Sequence, residues 1–134
     1  MITDLVVSAV TDFLKSSGRS ELSAVTFFER DFGADLTYPA CIVGEDGSPD
    51  ENEIIRGQWT VPIQISVLTI PEDDESAVTH RQICKAVNDL IGDGDAVIEF
   101  LSNSMQCNDS TGGQGSTEAD DGFRQTTFTA EIKA

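Results

Sequence analysis

The chain's best offer of metal chemistry is His80 and Cys84, four residues apart in a segment with helical periodicity. That spacing puts imidazole and thiol on one helix face, within reach of a single ion. Transition-metal sites need three or four ligands, and no third accompanies the pair. The plainer reading is a partly buried thiol beside a surface histidine. It is the chain's single histidine, and no nucleophile motif stands near it, so neither a Ser-His-Asp nor a Cys-His arrangement is supported. Asp46, Ser48 and Asp50 alternate as calcium ligands would. Glu51, however, stands where such a loop needs glycine, and Gly57 where it needs a bidentate glutamate. Gly112-Gly113-Gln114-Gly115 lacks the lysine and following helix of a phosphate loop, so it reads as flexibility. Trp59 has the shape of a stacking residue, but it falls on an apolar strand face and reads as core. No metal, no cofactor and no enzymatic activity is expected.

The elements that would position these residues are easier to read. In Arg56–Ile70 (RGQWTVPIQISVLTI), Trp59, Val61, Ile63, Ile65 and Val67 share one face of an extended strand. Gln58, Thr60, Pro62, Gln64 and Ser66 share the other. At roughly 3.3 Å per residue the segment would reach about 50 Å. Pro62 cannot donate to a ladder, which implies a sheet edge, a bulge, or both. An edge would leave the rim of this strand free to pair with a neighbouring subunit.

Ile2, Leu5, Val6, Ala9, Val10, Phe13 and Leu14 predict a helix near 4–17, capped by Thr3 or Asp4 and ended by Gly18. Short strands are expected at 24–28 and at 38–43, the latter started by Pro39. Glu72 to Glu75 put negative charge where a helix begins, and that helix runs near 75–91 with Gly92 as its cap. Asp95 caps a short helix over 96–101. A weak strand is placed at 104–107, and a closing strand over 123–133 with Phe128, Ala130 and Ile132 on one face. Two segments read as solvated acidic loops. Residues 44–55 carry Asp46, Asp50, Glu51 and Glu53; residues 108–122 carry Glu118, Asp120 and Asp121. The order predicts a single α+β domain over 1–134, a mostly antiparallel sheet with two main helices on one face.

Twenty-four acidic residues against eight basic ones give a formal net charge of −16. Phosphate neutralisation on nucleic acid and attraction to anionic membranes are both disfavoured. The charge serves solubility, or it repels a polyanion that must pass without sticking. Cys41, Cys84 and Cys107 are odd in number and lack paired spacing, which points to a reducing compartment. The N-terminal segment, with Asp4 and Asp12 inside its apolar pattern, reads as neither signal peptide nor membrane span.

The opening helix TDLVVSAVTDFL, the strands YPACIV and WTVPIQISVLTI, the helix ESAVTHRQICKAVNDLI and the last strand FRQTTFTAEIKA together resemble the tail terminator (tail completion) proteins of long-tailed bacteriophages. The resemblance rests on pattern and order over most of the chain. It implies a non-enzymatic virion protein, assembled in the host cytoplasm as a ring, commonly of six subunits, at the head-proximal end of the tail tube. Such a ring stops tube polymerisation, presents a docking surface to the head connector, and lets DNA through its lumen. On that reading Thr60, Pro62, Gln64, Ser66 and Leu68 would form a subunit or partner interface. The acidic loops would order on partners or face the lumen. Alternatives are a head–tail joining or other neck protein of the same particle, or, from another class, an acidic inhibitor that mimics DNA.

Overall fold

A computed structural model describes residues 2–29, 39–51, 53–54, 57–70, 74–103, 107, 109–112, 116–120 and 123–134. Its elements are α1 (Ile2–Lys15), a 3-10 turn (Ser20–Leu22), β1 (Thr26–Glu29), β2 (Ala40–Glu45), β3 (Asp50–Glu51) and β4 (Trp59–Thr69). They continue with α2 (Asp74–Gly92), α3 (Gly94–Leu101), β5 (Asp109–Gly112), β6 (Ser116–Asp120) and β7 (Phe123–Lys133). The sheet order is β1-β2-β4-β7-β5, with β3 also on β4 and β6 also on β7. Among the described residues, only the β1–β2 pair is parallel. The expected α+β architecture is the observed one.

Alternation decides which side of the sheet is covered. Val61, Ile63, Ile65 and Val67 of β4 are fully buried beside Cys41 and Val43 of β2 and Phe128, Ala130 and Ile132 of β7. Onto this face α1 lays Val6, Val10 and Leu14, and α2 lays Ile83, Ala86, Val87 and Ile91. α3 closes the end, where Phe100 meets Phe13 edge-on with ring centroids 5.5 Å apart. Trp59 packs half-buried against this core and is tied by its backbone to Ala134 in both directions, at 2.7 and 2.9 Å.

Several expectations are corrected. The long strand is Trp59–Thr69 rather than 56–70, because Gly57 turns the chain at φ +84°. β4 is not an edge: β2 and β3 hold one side and β7 the other. Pro62 marks a bulge instead. Trp59 bonds toward β7, so by alternation the missing donor of Pro62 points toward β2 and β3. There residues 46–49 stand opposite Val61 and Pro62, and the Asp46 N–H reaches the Pro62 carbonyl at 3.0 Å. Self-assembly through a free rim of this strand is therefore ruled out.

Within the segment expected as a loop at 108–122, the described residues Asp109–Gly112 and Ser116–Asp120 are strands. β5 and β6 both pair with β7, with a one-residue shift of register between Gly112↔Ala130 and Ser116↔Thr127. Asp121 lies outside the described residues, as do Ser104 to Gln106 of the weak strand placed at 104–107. Helix ends also differ. Asp93, not Asp95, caps α3 by accepting the Ala96 N–H at 3.3 Å. Gly92 is the last residue of α2, with no left-handed turn, because the chain passes straight into α3.

Candidate assembly surface

The second face of the sheet has a different composition. On β4 it carries Thr60, Pro62, Gln64, Ser66 and Leu68, and on β7 Gln125, Thr127, Thr129, Glu131 and Lys133, paired by register. Thr129, Glu131 and Lys133 are exposed; Thr60, Pro62, Gln64, Gln125 and Thr127 are half-buried. Ser66 and Leu68 are buried, at 8% and 6% exposure, so the reachable part of the expected interface is its Thr60–Gln64 half. The Gln125 amide donates to the Ser66 hydroxyl at 3.4 Å and to Thr127 at 3.5 Å, which fixes polar groups flat along the surface. Thr60, Pro62, Gln64, Thr129, Glu131 and Lys133 all lie outside the packed core. A sheet face with exposed threonine and charge beside half-buried proline and glutamine suits a wet protein contact better than a pocket.

The acidic residues expected to act together are split. Asp46, Asp50, Glu51 and Glu53 are exposed at the Trp59 end of β4, where Asp50 stands opposite Thr60 and Glu51 opposite Trp59. Glu118 and Asp120 are registered opposite Gln125 and Phe123, at the other end of the sheet. Thr60, Pro62, Asp46 and Asp50 thus share one end of the sheet with Glu51 and Glu53, and Glu118 and Asp120 are registered at the other. On the outer edge of the sheet, a register break separates β5 from β6, a feature that discourages strand addition.

Potential chemistry resolves into structure. His80 is buried, not a surface residue: its Nδ1 lies 2.8 Å from the Thr69 hydroxyl and its Nε2 2.7 Å from the Thr126 hydroxyl. It fastens α2 to the neighbouring ends of β4 and β7. Sequence reasoning missed this latch; the matching signals are threonines at core-face positions of two apolar strands. Cys84 shares the neighbourhood, its thiol pushed up by burial and partly offset by a hydrogen bond with Thr126. Burial drives the Cys41 thiol up to about 12, with the nearby Cys84 adding to it. All three cysteines are free thiols. Among the described residues no group of three potential metal ligands exists, and no helix is long and apolar enough to cross a membrane.

No protein-family model matches the chain, and no curated protein does. Among solved structures, a chain of the virion of a native gene transfer agent particle shares the fold with a TM-score of 0.57 and 14% identity, the match covering 94% of each chain.

Proposed function

We propose that this chain is a structural virion protein, and specifically a tail terminator: a non-enzymatic ring subunit at the head-proximal end of a tail tube. The observation that carries the reading is the shared fold over 94% of both chains with a component of a virion particle. It agrees with the resemblance of the helix and strand order to tail terminators. The open polar face supports it physically, since a subunit set between a tube and a connector must offer a partner a surface without unfolding. In this reading Thr60, Pro62, Gln64 and Thr129 meet tube or connector protein. The surplus of carboxylates keeps passing DNA from adhering.

Light scattering and negative-stain microscopy of the purified protein, alone and with tail-tube protein, test it. A closed ring, intrinsic or induced by the tube, is the expected result, and tube length should become limited when the chain is present. A monomer that ignores the tube and instead captures a basic nucleic-acid-binding protein would overturn termination in favour of DNA mimicry. Binding confined to connector protein would move the chain to a neighbouring neck position.

A further inference from the structure

We infer that the tip of the β3–β4 hairpin of one subunit docks onto the outer face of α2 in a second copy of this chain. The inference rests on the ring reading and supplies the contact that the occupied edges of β4 remove.

Two surfaces of opposite character carry it. The tip presents Asp50, Glu51 and Glu53, all exposed, and among the described residues none of the three is in an ion pair. Between β3 and β4, Ile54 is 92% exposed, the most exposed large apolar side chain described. The receiving surface lies on α2, where Val78, Arg81, Gln82 and Lys85 recur at helical spacing and are all exposed. Val78 is 44% exposed. Arg81 and Lys85 are two of only eight cations in the chain, and neither is in an ion pair among the described residues. Lys85 borders an open groove of about 480 Å³ between α2 and the Ser20–Leu22 turn, lined also by Ser20, Glu21 and Gln82. The carboxylate of Glu21 lies within Lys85's field, but Arg19 holds it at 3.4 Å and reaches Asp89 at 3.3 Å.

The contact must be between copies. The hairpin leaves the Trp59 end of β4, whereas His80 anchors the first turns of α2 at the Thr69 end. Ten residue steps of strand separate them, about 33 Å. One patch therefore cannot reach the other within a subunit. A head-to-tail contact between two different patches closes into a ring when its rotation is right. In a chain of net charge −16, copies repel one another broadly, so a complementary acid–base contact also selects the orientation in which they can meet.

Charge exchange tests it. The double variants E51K/E53K and R81E/K85E should each weaken self-association about tenfold or more, and the two sets combined in one chain should restore it. The combined variant has the wild-type net charge, which separates specific pairing from general repulsion. A second readout needs no ring. With Cys84 replaced by Ser, I54C and V78C proteins mixed under mild oxidation by diamide should give a heterodimer, and neither should do so alone. A ring that survives both charge reversals, or a mixture with no heterodimer, overturns this contact and leaves the ring reading standing. Heterodimer without any closed ring supports the contact and removes the terminator reading.

Discussion

The two faces of the β4–β7 pair share one backbone and one register, yet they follow different rules. Toward the helices, Val61, Ile63, Ile65 and Val67 meet Phe128, Ala130 and Ile132, each 6% exposed or less. Toward the other side, Gln64 faces Thr129 and Pro62 faces Glu131, all reached by solvent. The first face must be apolar for the chain to fold at all. The second is free of that demand, so its residues can be chosen for a partner. Sequence reports the first directly and the second only through what it lacks.

Substitution on the covered face gives the largest expected effect. Ile65→Ala should cost about 2–5 kcal/mol in chemical denaturation, since the site is fully buried between β2 and β7 and a cavity must remain. A cost near zero would mean that the helical layer is not packed on this face, and the contrast between the faces would dissolve.

Next is the polar latch on the covered side. His80→Leu removes the partner that the Thr69 and Thr126 hydroxyls share inside the core, at an expected cost of about 2–3 kcal/mol. Adding Thr126→Val should return part of that loss, because two apolar groups in contact do better than one apolar group beside a buried hydroxyl. A double-mutant cycle without coupling would show that the histidine packs without fastening.

How much was legible follows from these residues. Alternation from Trp59 to Val67 and the helical stripe from Ile83 to Ile91 are one-dimensional patterns, and they yielded the strand, the helix and the buried side of each. Strands β5 and β6 were missed because Asp109–Gly112 and Ser116–Asp120 hold no large apolar residue; the neighbouring β7 makes them strands, through pairing that local composition does not encode. His80 was misplaced for a similar reason. Its burial depends on two threonines 11 and 46 residues away in sequence. Pro62 posed an honest ambiguity between edge and bulge, and the extra residues at 46–49 resolved it as a bulge. Of the residues expected at the assembly surface, Thr60, Pro62 and Gln64 are reached by solvent, whereas Ser66 and Leu68 are buried by neighbours that strand alternation does not reveal.

Alkaline titration probes the covered face without altering its shape. Cys41 ionises near its ordinary 9.0 in the unfolded chain but only at about 12 in the core. Below pH 9 both states keep the proton, so its contribution is constant. Between 9 and 12 the unfolded chain releases a proton that the folded chain retains. Stability should therefore fall by up to about 1.4 kcal/mol per pH unit from this group. Denaturant titrations at pH 8 and 10 measure the drop, and Cys41→Ala should flatten it even though its baseline stability is lower. An unchanged slope in that variant would place the thiol in contact with water.

The smallest effect on stability is expected where the proposed consequence for assembly is largest. Thr129→Lys lies on the open face opposite Gln64, exposed and outside the core cluster. Its cost in chemical denaturation should stay within about 0.5 kcal/mol. Lysine puts a long, charged side chain between Thr127 and Glu131 and opposite Gln64, where threonine is short and uncharged. If that surface seats tube or connector protein, capture should weaken, while the mass of any ring held by the hairpin–α2 contact should not change. Sedimentation of the variant with and without tube protein reads both quantities in one experiment. Full capture by the variant would show that the open face is only solvated, and that the difference between the two faces reflects folding alone.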